Sequence, residues 1–412
     1  MNIGVYSHYF TPEIGAPSAR IYDLAQQWLK LGYQVQVDTC FPNHPTGQLY
    51  PGYKRQMYMH EQLDGVNVHR HWTYITPNEG FLKKTLGHIS YLPSSLLFSN
   101  RHMPSIDITI GSSPTFFAAM AAAYTGWRRR VPFVMEVRDL WPEIFVELGV
   151  LRNPTLIRAL ELLEFALYRQ ATRIVTVTEA FRQSLIERGV PSSKIFTITN
   201  GADIDYWQPM AAPTELQQEL GLDNQFVVLY IGAHGISQAL SCILETAQKL
   251  NAFSQIKFLF VGEGAEKAEL IKRAQQLQLN NVQFLDPVNK EKVKKFYALA
   301  DVCLVPLRNI PLFSTFIPSK MFEIMAMATP VIGSVRGEAA EILQRSGGAL
   351  VTEPENSSAL AEAILDLYEH RGKVDAMGCA GRKFVIENYS RGALATKYIE
   401  VLNDAIANYK NR

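Results

Sequence analysis

Short runs rich in Val, Ile, Phe and Tyr alternate with helical patterns along the whole chain, and few folds accommodate that rhythm. Strands separated by helices lie parallel, so the alternation predicts parallel sheets with helices on both faces. In the first half the expected strands are Ile3–Ser7, Gln34–Thr39, Val66–Arg70, Ile106–Ile110, Pro132–Val137, Arg173–Val177 and Ile195–Ile198. Between the first two, Ser18–Leu31 sets Ile21, Leu24, Ala25, Trp28 and Leu29 on one helical face, and Gly32 stops the helix. Residues 200–213, NGADIDYWQPMAAP, break the rhythm with turn formers and prolines, as an interdomain linker does. The alternation then restarts with Phe226–Ile231, Lys257–Val261, Val282–Phe284, Val302–Val305, Val331–Ile332 and Ala349–Val351. A last helix, Ala393–Tyr409, follows the second series and is free to pack elsewhere.

A chain of 412 residues is too long for one comfortable core, which agrees with two lobes. Apolar residues make up 47% and charged residues 19%, a globular composition. Lys plus Arg (40) nearly cancels Asp plus Glu (39), so no global field draws the chain to nucleic acid, and any anion site must be local. Cys40, Cys242, Cys303 and Cys379 stand far apart, without the spacing of a disulfide framework or a zinc site. The opening MNIGVYSHYF reads as a first strand rather than a secretion signal, and no apolar run is long enough to span a membrane. A cytoplasmic protein is expected.

Wound α/β sheets bind ligands beyond the carboxyl ends of their strands, so chemistry is sought there. After the first strand, TPEIGAPSARIYDLA holds Gly15 and Ala16 ahead of a helix, where backbone amides favour phosphate; a plain turn is the simpler account. In the second half Gly232, His234 and Gly235 follow one strand and Gly262 and Gly264 the next, which together suggest a diphosphate and nucleotide surface. The densest stretch is FIPSKMFEIMAMATPV. Pro318 and Ser319 are expected to start a helix, and Lys320 and Glu323 to share one face near its tip. A lysine there suits phosphate and a glutamate suits a ribose diol, whereas an ordinary surface ion pair is the bland reading. Met321, Ile324, Met325 and Met327 are read as core packing. Glu136, Arg138 and Asp139 close the strand PFVMEV and run into Leu140, Trp141, Pro142 and Glu143, a place for reactive groups in wound folds, with a structural Arg138–Asp139 ion pair as the alternative. Ser112 and Ser113 end another strand, either facing the cleft or capping the next helix. Asp203, Ile204 and Asp205 spell the metal-holding DxD of a different fold, but they fall in the linker, and no metal is expected.

With these residues in view, the chain resembles family 4 of the glycosyltransferases, retaining enzymes of GT-B architecture. PEIGAPSAR, EVRDLWPE, NGADIDYWQP, FVGEG, YALADVCLVPL and PSKMFEIMAMATPVI carry the resemblance, which spans nearly the whole chain. It looks most like the branch acting in bacterial polysaccharide and lipid-linked glycan assembly. The resemblance implies two Rossmann-like, doubly wound parallel-sheet domains facing a central cleft. An acceptor-binding domain would cover 1–204 together with the helix 391–412, and a nucleotide-sugar donor domain 205–390. Glu323 would hold the ribose, and Lys320 with the backbone at Gly15, Ala16, Gly232 and Gly235 would face the diphosphate. Gly262, Gly264, Pro287 and Val288 would border the base, Ile317, Pro318 and Ser319 would line the donor site, and Arg138 and Asp139 would flank the reacting sugar and acceptor.

The sequence departs from the family in three places. Many members carry a glutamate eight positions before the equivalent of Glu323, where this chain has Thr315. GAHGISQAL offers His234 and Gln238 where an Arg and a Lys often stand. The strand-end histidine is replaced by Arg138 and Asp139. The resemblance implies transfer of a hexose from a UDP-sugar to a glycan or lipid-linked acceptor, without a metal or other cofactor. A nucleotide-sugar epimerase of the same architecture and a non-catalytic partner in a glycan assembly complex are the rival readings. Leu82–Phe98 and Pro114–Trp127 pair apolar faces with Lys83, Lys84 and Arg128–Arg130, as an interfacial helix at the inner face of the plasma membrane would; core packing with a solvated basic edge is the simpler account.

Overall fold

The computed structural model describes residues 1–13, 15–44, 46–76, 81–113, 115–140, 142–143, 146 and 151–410. Ile14, Pro114 and Trp141 lie outside the described residues, as do the side chains of Ala16, Leu82 and Lys84. The chain divides into two compact units, Met1–Asn200 with Arg391–Arg412, and Gly201–Ser390.

The first unit is built on β1 (Asn2–Tyr6), β2 (Gln34–Cys40), β3 (Tyr58–Leu63), β4 (Val66–His71), β5 (Ile108–Ser112), β6 (Phe133–Val137), β7 (Arg173–Thr176) and β8 (Ile195–Thr197). Its helices are α1 (Ala16–Lys30), α2 (Phe81–His102), α3 (Phe116–Arg129), α4 (Pro154–Gln170) and α5 (Glu179–Glu187). The strands pair in the order β3-β4-β2-β1-β5-β6-β7-β8, all parallel except β3 with β4. Ile3, Val5, Val35, Val37, Ile108 and Ile110 form a core with Ile21, Leu24, Ala25 and Trp28 of α1.

The strand β3 is an addition to the sequence expectation. Its residues YMHEQL are half-exposed at the sheet edge and show no apolar stripe. The local signal lies in the turn, where Asp64 (φ 47) and Gly65 (φ 85) join β3 to β4. Two successive positive φ angles at an Asp-Gly pair are the signature of a two-residue hairpin. The otherwise parallel sheet therefore carries an antiparallel edge.

The second unit contains β9 (Phe226–Ile231), β10 (Ile256–Val261), β11 (Val282–Leu285), β12 (Val302–Pro306), β13 (Val331–Ser334) and β14 (Ala349–Thr352). Its helices are α6 (Thr214–Glu219), α7 (Ser241–Lys249), α8 (Lys267–Gln276), α9 (Lys290–Leu299), α10 (Lys320–Ala326), α11 (Glu338–Ser346), α12 (Ser357–Glu369) and α13 (Arg371–Tyr389). Alternate residues of β9 serve opposite cores: Phe226, Val228 and Tyr230 on one face, Val227, Leu229 and Ile231 on the other. Burial on both faces is why this strand reads as an unbroken apolar run.

The last helix, α14 (Arg391–Lys410), belongs to the first unit. It buries Leu394, Ala395, Tyr398, Ile399, Val401, Leu402 and Ala405 in the same core as α1. Trp28 Nε1 donates to the Ala395 carbonyl, and Asp23 pairs with Arg391.

The second sheet runs β11-β10-β9-β12-β13-β14, the order 3-2-1-4-5-6 of dinucleotide-binding folds, and the first repeats it from β4 to β7. The order reverses between β1 and β5 in one sheet and between β9 and β12 in the other. Loops leaving the carboxyl ends of such a strand pair diverge and open a ligand crevice. Among the described residues, no helix is long and apolar enough to cross a membrane.

Candidate functional site

At the reversal point of the second unit, β9 ends at Ile231 and Gly232 turns the chain with φ 147. A Cβ on Gly232 would stand 2.5 Å from Lys320 Nζ, and one on Gly262 would stand 1.9 Å from the Gly232 carbonyl oxygen. The immediate use of these glycines is to let two loops and one lysine meet. Gly264 continues this: its Cβ would fall 2.3 Å from the His234 carbonyl oxygen.

Lys320 donates from Nζ to the Ile231 carbonyl at 2.9 Å and lies 4.5 Å from the centroid of the Tyr230 ring. Burial pushes its pKa down to about 8, against the pull of the Glu323 carboxylate. Glu323, three residues further along α10, is half-buried. Met321, Ile324, Met325 and Met327 enter the core and fix this helix, and Ile317 is buried just ahead of it. One expectation at the helix start is corrected. Ser319 has helical dihedrals (φ −58, ψ −27) and makes no side-chain cap, because a capping residue needs extended backbone to aim its oxygen at the helix amides. Pro318 precedes it, half-buried.

His234 is fully buried, and neither ring nitrogen has a hydrogen-bond partner among the described residues. The rings of Tyr230, Phe260 and Phe284 surround it at 5.8, 6.3 and 6.4 Å. Burial, aided by Lys267, holds its pKa below the ordinary histidine value. Its backbone joins the two glycine loops by accepting from Glu266 N and donating to the Glu263 carbonyl, each at 2.9 Å. Gly235 beside it is half-buried. On the next loop, Lys267 Nζ donates to Asp286 Oδ1 at 2.9 Å and to the Leu285 carbonyl at 3.3 Å, leaving Pro287 exposed and Val288 against the core. Thr315 turns its hydroxyl inward to the Leu312 carbonyl at 2.7 Å. Asp203 Oδ1 accepts from the backbone of Asp205 and Tyr206 at 3.1 and 3.2 Å, so this carboxylate closes a turn.

In the first unit the loop after β1 reaches α1 through Gly15, whose carbonyl accepts from Ala19 N at 3.0 Å. Two buried side chains hold this loop, and sequence reasoning passed over both. Glu13 accepts from the amides of Asn43 (2.8 Å), His44 (2.9 Å) and Phe10 (3.3 Å). Burial raises its pKa, and these amides together with Arg70 oppose the rise. Arg70 donates to the carbonyls of Thr11 at 2.5 Å and Cys40 at 3.1 Å. An arginine inside the buried run VNVHRH was the available signal. Arg20, on the inward side of α1, donates to Glu136 Oε1 at 3.0 Å and to the carbonyls of Ile198 and Thr199 at 2.9 Å.

Across the reversal point from β1, Ser112 and Ser113 do not cap α3. Ser112 Oγ donates to Glu136 Oε2 at 2.7 Å, and Ser113 Oγ accepts from Arg138 N, also at 2.7 Å. Burial alone would raise the Glu136 pKa, yet Arg20, Arg138 and the Ser112 hydroxyl outweigh it and hold the carboxylate low. Arg138 Nη1 is buried without a hydrogen-bond partner among the described residues, and burial takes its pKa down to about 10. Asp139 is pushed up to about 6 by burial, with Arg138 opposing. The structure thus gathers Gly232, His234, Gly262, Gly264 and Lys320 in one unit, and Ser113, Arg138 and Asp139 in the other.

Two doubly wound parallel-sheet units, each with loops gathered at the point where its strand order reverses, define the GT-B class. Residues 15–201 match the model of a glycosyl transferase 4-like domain, and residues 213–384 match that of glycosyl transferases group 1. The chain belongs to the family 4 glycosyltransferases. It is 25% identical over 376 residues to the "Putative colanic acid biosynthesis glycosyl transferase WcaI" of Escherichia coli (strain K12), covering 88% of this chain and 91% of that one. Two solved structures share the fold at 18% identity and 98% coverage of this chain. Sucrose-phosphate synthase from Thermosynechococcus elongatus aligns over 99% of its length with a TM-score of 0.75. Anabaena Alr3699/HepE in complex with UDP-glucose aligns over 100% of its length with a TM-score of 0.72.

Proposed function

We propose that this glycosyltransferase moves a hexose, glucose or a related hexose or N-acetylhexosamine, from a UDP-sugar to a glycan or lipid-linked acceptor in polysaccharide biosynthesis, with retention of configuration. The observation that carries this reading is the Lys320 ammonium, held against the end of β9 among glycine loops with Glu323 one helical turn away. A desolvated cation there can neutralise a diphosphate as it leaves, and Glu323 can accept from both hydroxyls of a ribose. The relative WcaI, whose name places it in colanic acid synthesis, and HepE, solved with UDP-glucose, support the choice of product and donor.

In this mechanism no metal is required. Lys320 and the loop amides stabilise the developing charge on the diphosphate. The acceptor hydroxyl approaches the face the leaving group vacates, and its proton passes to a phosphate oxygen. Arg138 and Asp139 border the reacting sugar and the acceptor. The Thr315 hydroxyl is engaged within its own turn, so sugar recognition falls to other groups. Glu323→Ala is expected to weaken UDP binding by about 1.5–3 kcal/mol, the worth of a charge-assisted hydrogen bond. Calorimetry with UDP and GDP tests this, and wild-type affinity in the variant would refute the assignment. Isomerisation of the donor incubated alone would instead favour an epimerase.

The enzyme would work in the cytoplasm at the inner face of the plasma membrane. Supporting this, α3 ends in Arg128 and Arg129 beside Trp127, which is 69% exposed, and Tyr124 and Leu163 line an apolar groove next to it. Aromatic and basic groups side by side suit the boundary of an anionic bilayer. Flotation with anionic liposomes that is lost in Trp127→Ser is the expected result.

A further inference from the structure

At the carboxyl ends of β2 and β4 the first unit holds a cavity of about 80 Å3, lined by none of the side chains assigned above. Phe41 and Leu49 form its apolar part, and Trp72 and Tyr74 border it with exposures of 38% and 41%. Arg55 and Gln56 complete the rim. The Trp72 indole N–H, the Arg55 guanidinium and the Gln56 carboxamide make no hydrogen bond with the described residues, so the cavity combines aromatic walls with unused donors.

The walls are fastened from several directions. Trp72 N donates to the Met57 carbonyl at 3.0 Å, and Tyr74 N to Ser90 Oγ at 2.8 Å. Tyr50 donates from its hydroxyl to the His44 carbonyl at 2.8 Å and from its amide to the Pro42 carbonyl at 3.1 Å. Glu13 and Arg70 pin the start of the same segment at Asn43, His44 and Cys40. These bonds hold the backbone that carries the two rings, and aromatic side chains beside a few unengaged polar groups are the lining expected of a ligand subsite.

We infer that this cavity is a subsite for one hexopyranose ring, presented by the acceptor glycan. One face of such a ring carries only C–H groups, which suit the negative face of an indole or phenol ring. Its hydroxyl oxygens, or the carbonyl of an N-acetyl group, accept from Trp72, Arg55 and Gln56. At about 80 Å3 the cavity is too small to enclose a pyranose, so the ring would lie across its mouth, against the exposed faces of Trp72 and Tyr74. The inference rests on the transferase reading only in assigning the ring to the acceptor; the binding itself is separable.

Saturation-transfer difference NMR with the methyl glycosides of glucose, galactose and N-acetylglucosamine tests it on the full chain, alongside UDP calorimetry. At least one glycoside is expected to show transfer in the wild type. The signal should fall about five-fold or more in Trp72→Ala and in Arg55→Ala and persist in Trp72→Phe, which keeps an aromatic face. UDP affinity should stay within a factor of about two in all three, since neither Trp72 nor Arg55 belongs to the loops that meet Lys320. Absence of transfer from every glycoside, or a signal untouched by Trp72→Ala and Arg55→Ala, overturns the subsite. Failure of the wild type to bind UDP would strike the transferase reading alone.

Discussion

On the proposed reading, the Lys320 ammonium, its pKa pushed down to about 8 by burial, would tie nucleotide binding to pH. It is charged below that value and neutral above it, so UDP affinity is expected to fall as pH rises from about 7 to about 9, by roughly tenfold for a charge-assisted contact. Titration calorimetry across that range reads the effect, and Lys320→Met should flatten it. Asp139 has the opposite consequence, on stability. Its folded pKa of about 6 lies above the usual carboxylate value of 3.8, so the folded state binds the proton more tightly. Stability from this group is present at low pH and is lost as pH rises through about 6. Denaturant unfolding between about pH 4 and 6 should show the wild type losing stability relative to Asp139→Asn. A parallel pH dependence in the two proteins would mean that Asp139 is solvated.

Among the elements, the loop between β1 and α1 owes its shape to residues far from it in sequence. Glu13→Ala would strip the acceptor from the amides of Phe10, Asn43 and His44. The expected cost is about 1–3 kcal/mol of stability, with Glu13→Gln costing less because one oxygen remains. Chemical denaturation of both variants measures the order. The same distant pairing explains which elements were legible in sequence. β9 and the Phe258–Val261 part of β10 were evident because burial on both faces leaves unbroken apolar runs. β3 was not, since an edge strand with alternating exposure carries no such run, and only its Asp64-Gly65 turn announces it. Ser113 and Ser319 mark a further limit: residue type favours a cap at either place, but the backbone dihedrals and a neighbouring strand end decided otherwise.

At the scale of the molecule, each unit has its own core, and one joins distant parts of the chain, as the Trp28 bond to Ala395, 367 residues away, illustrates. Removing 391–412 would uncover Trp28, Leu24 and Ile21 while leaving the second unit's core intact. Limited proteolysis of such a truncation should degrade Met1–Asn200 and spare Gly201–Ser390; equal resistance of both would contradict the packing described. Sequence alone determined the doubly wound class and the family, because periodicity and contiguous motifs are local properties of a chain. Tertiary structure alone decided that Glu13 and Arg70 hold a loop, that His234 is enclosed by aromatic rings, and that Lys320 meets Gly232. Those facts depend on burial and on partners supplied by other strands, which no local pattern encodes.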